Sequence, residues 1–144
     1  MNNKQFAFWQ RWLVAVSVIV VVFGLFMAFF NRTLLFDLFN RGVDPAFWGA
    51  GAVPVEAQRF QGWAYGVLGA TMAGWGLTLL FLARQAFLRK ERWAWSSVLA
   101  GILLWFVVDE YISLASGVYF NAAFNLVFLV LVGLPLIFTR RHFE

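Results

Sequence analysis

Apolar residues in this chain gather into four runs that contain no charged side chain: 13–30, 63–83, 93–108 and 122–138. The runs are 16 to 21 residues long, close to the ~20 that a helix needs to cross ~30 Å of hydrocarbon. Hydrocarbon offers backbone N–H and C=O groups no water, so a run of this kind satisfies them within its own helix. The pattern predicts an all-α integral membrane protein with four transmembrane helices in an up-down bundle. The spans are placed at about 13–30, 63–83, 93–113 and 122–138, within a single domain over residues 1–144. The first run is longer than a signal-peptide core of ~7–15 residues. Met27-Ala28-Phe29-Phe30 offers no small-x-small cleavage site, so this run is expected to be a retained anchor.

The connection 31–62 is too long to be a plain turn. Thr33 suits an N-cap, Gly42 a helix stop, and Asp37 with Arg41 an i,i+4 pair. Leu34, Leu35, Leu38 and Phe39 would then form an apolar stripe, so 34–41 is expected to be a short helix lying on the outer interface. Pro54 suits the first turn of a helix running on into the second span. The outer loop reads as a cap over the bundle, with a ligand-gating lid as the alternative.

Charge supplies the orientation. Only 12% of residues are charged and 62% are hydrophobic, against about 25% charged in soluble domains. The net charge of +4 comes from basic residues at the ends of the runs. They form no patch or motif of a nucleic-acid binder. With both termini inside, eight of the 11 basic residues face the cytoplasm, and only Arg32, Arg41 and Arg59 lie outside. The positive-inside rule therefore predicts a multi-pass protein of the cell (inner) membrane, with cytoplasmic N- and C-termini. Trp9, Trp12, Trp93 and Trp95 fit an inner aromatic belt, and Trp48 and Trp63 an outer one. Trp75 and Trp105 each lie ~18 Å from the interfacial tryptophan of the same helix, near mid-membrane. Their indole N–H groups call for acceptors: Thr71 or Thr78 for Trp75, and Asp109 for Trp105.

One small residue recurs every four positions in the second span: Gly62, Gly66, Ala70, Gly74 and Thr78. Such rows let membrane helices approach closely. The third span has a matching row with Ser97 and Gly101, and a short connection follows the second span. The closest contact is therefore expected where Gly66, Ala70 and Gly74 meet the third span. The first span offers only Gly24 and Ala28, and the fourth only Gly133.

Asp109 stands out chemically. It falls ~24 Å along the third span from Trp93, short of the outer boundary. An ionisable residue there marks a functional site by default. Ser113, Asn121 and Asn125 come to a similar level, Trp105 lies one turn below, and Arg59 is the natural counter-charge. These six residues form the candidate outer polar cluster. Glu110 is rotated ~100° from Asp109, so the pair is not the converging carboxylates of a glycosidase, and Glu110 is expected to reach water. With no cysteine and a single histidine, His142, the chain has no thiolate site and no bis-histidine haem. It has no H-E-x-x-H, G-x-S-x-G or Walker loop, and no metal motif or catalytic residue is assigned.

These features predict a non-enzymatic accessory or structural subunit of a larger membrane assembly, with a membrane-protein partner or a homo-oligomer beside the lipid bilayer. The alternative is a small transporter or channel protomer using the Asp109 carboxylate. A second alternative is a lipid- or quinone-binding membrane protein or enzyme. No cofactor is expected beyond a bound lipid or quinone.

Overall fold

The computed structural model describes residues 3–144, and among them no strand occurs. Six α-helices follow in order: α1 Asn3–Phe30, α2 Asp37–Val43, α3 Pro45–Trp48, α4 Val55–Arg84, α5 Arg92–Ala115 and α6 Tyr119–Thr139. A 3-10 turn, Arg140–His142, closes the chain. The four long helices α1, α4, α5 and α6 are each long and apolar enough to cross a membrane.

Most of them outrun their apolar runs. A helix continues as long as its backbone bonds can form, whatever the polarity of its surface. In α1, Phe6, Gln10 and Leu13 are buried one turn apart while Lys4 and Arg11 point out. Pro54 is the N-cap of α4, and the helix runs unbroken from Val55 through Glu56 and Arg59 into the apolar run.

The tightest contact joins α1 to α4. Gln10 Nε2 donates to Ala83 O (2.9 Å) at one end, and Asn31 Nδ2 donates to Gly62 O (3.2 Å) at the other, so the two helices run in opposite directions. Between these ends backbone lies directly on backbone. A Cβ at Gly69 would stand 2.5 Å from Gly24 O and 2.6 Å from Ala28 N. One at Gly24 would stand 2.6 Å from Ala73 N, and one at Gly76 2.9 Å from Val21 N. The ridge of α4 that packs is therefore Gly69, Ala73 and Gly76, against Gly24 and Ala28.

This corrects the expected ridge. Gly66 lies only at the edge of the α1 contact, where a Cβ would stand 3.9 Å from Ala28 O, and Ala70 and Gly74 turn away from it: both are exposed, and a Cβ at Gly74 or at Gly101 would meet nothing within 4 Å. Close approach needs small residues on both partners. α1 supplies two of them four apart, whereas α5 follows Gly101 with Trp105. Trp75 of α4 and Trp105 of α5 instead fill the space between their helices, stacked at 6.4 Å with Phe128 of α6 edge-on to both.

Pro135 explains a second set of contacts. It lies inside α6 and has no N–H, so the carbonyl four residues back loses its helical donor. That carbonyl is Leu131 O, and the Trp12 indole of α1 donates to it at 2.9 Å. Trp95 of α5 donates to Leu136 O at 3.0 Å, and Thr139 Oγ1 donates to Pro135 O. These indoles, expected only as members of an interfacial belt, tie α1 and α5 to the interrupted stretch of α6.

The loop helix also differs from expectation. Thr33 Oγ1 donates back to Phe30 O (2.7 Å), finishing α1, and α2 starts only at Asp37. Gly42 lies within α2, where the Phe120 ring packs against its Cα and leaves no room for a side chain. The expected stripe divides. Phe39 turns inward against Tyr65 and the buried Phe36, a residue outside that stripe, while Leu34, Leu35 and Leu38 are exposed.

Two outcomes follow. Gly69→Leu forces bulk between two backbones and lowers stability by about 1–3 kcal/mol or more, whereas Ala70→Leu on the open face stays within about 0.5 kcal/mol. Thermal unfolding in detergent measures both. Trp12→Phe strands the Leu131 carbonyl and costs about 1–3 kcal/mol. Because Pro135→Ala restores the missing helical donor, the Trp12→Phe penalty shrinks in that background. A double-mutant cycle reads the difference.

Candidate functional site

Two polar centres stand out, and only the first was foreseen. Gly117, at φ +72°, turns the chain between α5 and α6. The turn is closed by Val118 N to Ser113 O (2.9 Å) and Gly117 N to Leu114 O (3.1 Å), the paired bonds of a Schellman helix stop. So tight a turn sets the last turn of α5 beside the first turn of α6. Asp109 and Ser113, one turn apart, therefore face Asn121 and Asn125, also one turn apart.

Asp109 Oδ1 accepts three hydrogen bonds: from Asn125 Nδ2 (2.8 Å), Asn121 Nδ2 (2.9 Å) and Ser113 Oγ (3.1 Å). Asn121 Nδ2 also donates to Ser113 Oγ (2.8 Å), closing the ring. Ser113 and Asn125 are buried, and Asp109 and Asn121 half-buried. An ionised carboxylate only accepts, and here neutral donors converge on it. The arrangement ties α5 to α6.

Four of the six expected members thus come together, and two do not. Arg59 lies in the other polar centre. Trp105 makes ring contacts with Trp75, Phe106 and Phe128 rather than a bond to Asp109. Thr71 and Thr78 bond within their own helix, their hydroxyls donating to Val67 O (3.0 Å) and Gly74 O (3.1 Å), and Trp75 makes ring contacts with Trp105 and Phe128. Glu110, expected to reach water, has its Oε2 buried without a hydrogen-bond partner. No group of three metal-ligating side chains occurs among the described residues.

The second centre is a cavity of about 690 Å³ where the end of α1, the α2–α3 segment and the start of α4 meet. Arg32, Arg41 and Arg59 line it, with Asp37, Asp44, Asn40, Gln61 and Tyr65. Gln61 Nε2 lies 2.6 Å from Asp44 Oδ1 and 3.1 Å from the Tyr65 hydroxyl. The sequence signal was available: all three basic residues of the 31–62 connection are here. Sequence spacing instead pairs Arg41 with Asp37 and Arg59 with Asp109, because the loop path that gathers the arginines is not a periodic feature.

If the Asp109 network is a helix clamp, Asp109→Ala leaves three donors without their acceptor and costs at least about 1–3 kcal/mol. Asp109→Asn keeps one acceptor oxygen and costs less. Denaturation in detergent ranks the two, and proton flux into liposomes is expected to be equal for wild type and Asp109→Asn. Loss of flux in a folded Asp109→Asn protein would assign the carboxylate to transport instead.

No protein family matches this chain, and neither a curated protein nor a solved structure gives a match to it.

Proposed function

We propose that this chain is a multi-pass protein of the cell (inner) membrane, crossing up and down four times with both termini cytoplasmic. In this reading α2 lies at the outer interface, and the protein is a non-enzymatic accessory or structural subunit of a membrane assembly. The charge distribution supports the orientation: the 84–92 connection and both termini carry eight of the 11 basic residues.

The observation that carries the subunit reading is the open face of α4. The helix has two rows of small residues, and α1 fills one of them completely. The other, with Ala70, Gly74 and Thr78 exposed, has no partner among the described residues. The Thr71 and Thr78 hydroxyls are bonded to their own backbone, so the face presents shape without an unmet donor. Lipid needs no such ridge, whereas an opposing helix does. A second helix on this face, from a partner protein or another copy, uses the feature as α1 uses the opposite one.

One observation favours the lipid- or quinone-binding alternative. An apolar groove of about 470 Å³ runs between α5 and α6, lined by Trp95, Leu99, Ile102, Leu129 and Gly133, with Arg140 at one end. It accepts a chain-like apolar ligand.

The absence of native cysteine makes a single-cysteine test clean. Gly74→Cys is expected to cross-link in native membranes to one defined protein, and Gly74→Leu to lose that protein on mild detergent extraction with thermal stability kept. A Gly74→Leu protein that purifies with the same company as wild type overturns the subunit reading. Co-purified quinone or lipid lost on Gly133→Leu supports the groove instead.

A further inference from the structure

The 690 Å³ cavity has a size typical of small-ligand sites, which span roughly 300–1,000 Å³, and its charges are arranged unevenly. Arg32, Arg41 and Arg59 all line it. None of them is ion-paired: the ion pairs among the described residues are Arg89–Glu91 and Arg140–Glu144. The two carboxylates in the same lining are turned to neutral amides, Asp44 to Gln61 (2.6 Å) and Asp37 to Asn40 (3.5 Å). The guanidiniums therefore face the cavity with donors to spare.

One detail goes beyond charge. Gly62 gives the Arg32 guanidinium a seat on the α4 backbone, since a Cβ there would stand 2.9 Å from Arg32 Nη2. Guanidinium forks match phosphate oxygens two at a time.

We propose that this cavity binds a phosphate ester, with the phosphate on Arg32, Arg41 and Arg59. Glycerophosphate has this chemistry. It comes either as a phospholipid headgroup, with chains passing over the exposed Leu34, Leu35 and Leu38, or as a soluble ester. The site is independent of the α4 face and of the Asp109 network.

The test uses the full chain in neutral detergent, titrated calorimetrically with glycerol phosphate and with inorganic phosphate. In parallel, nanodiscs of phosphatidylglycerol with phosphatidylcholine are analysed for retained lipid by native mass spectrometry. Binding of soluble glycerol phosphate identifies a free ester as the source. Retention of phosphatidylglycerol alone identifies the headgroup. In either case Arg32→Gln and Arg59→Gln each weaken binding about tenfold or more, with Arg41→Gln as the substitute if one of them fails to fold. Arg84→Gln, outside the cavity lining, changes nothing. The proposal is overturned if neither ligand binds, or if Arg84→Gln lowers retention as much as the cavity variants do.

Discussion

The architecture depends on the direct approach of two backbones, α1 and α4, at Gly24, Ala28, Gly69 and Ala73. In the membrane setting proposed above, association of apolar helices brings little hydrophobic gain, and dispersion at close range carries most of the attraction. That attraction falls off within an ångström, so side-chain-free contact at Gly24 and Gly69 decides which faces pair. Once α1 and α4 are joined, Gln10 and Asn31 fasten the two ends by donating to carbonyls of α4 or its terminus. The rest of the bundle is built around that pair.

The other helices are joined by directed polar contacts, each answering a defect or a charge. Pro135 opens α6 at Leu131, and Trp12 supplies the missing donor from another helix. Asp109 brings a carboxylate into an otherwise apolar helix, and Ser113, Asn121 and Asn125 surround it. A buried polar group left unmet costs about 1–3 kcal/mol. A proline or an aspartate therefore selects its neighbours as effectively as a glycine row does. α4 and α5 share no such contact and meet through the Trp75 and Trp105 rings. That leaves one face of α4 open.

The arginine cavity follows from a different constraint. At this end of the bundle the chain leaves the helix ladder, and Phe36, Tyr65 and Met27 form a small second core beneath the loop. That core folds the α2–α3 segment back over the start of α4. Polar side chains displaced from it are left to line the space between. Arg59, which sequence spacing assigns to Asp109, points instead into this space with Arg32 and Arg41.

The sequence alone determined the four long helices, because hydrocarbon length and backbone satisfaction are local demands that any apolar run of this size meets. It also determined three of the five expected companions of Asp109, though not Arg59 or Trp105. Ser113 is one turn away on the same helix, and a turn of a few residues leaves Asn121 and Asn125 little choice of level. Tertiary structure alone decided which of two glycine rows on α4 packs, since a row needs an equally small row opposite and only α1 has one. It decided that Thr33 closes α1 rather than opening α2, and that Gly42 makes room for Phe120. It brought Trp12 to Leu131 across 119 residues and three arginines into one cavity. Periodicity along a helix is a property of neighbours in sequence. The choice of partner belongs to faces that meet only when the chain has folded.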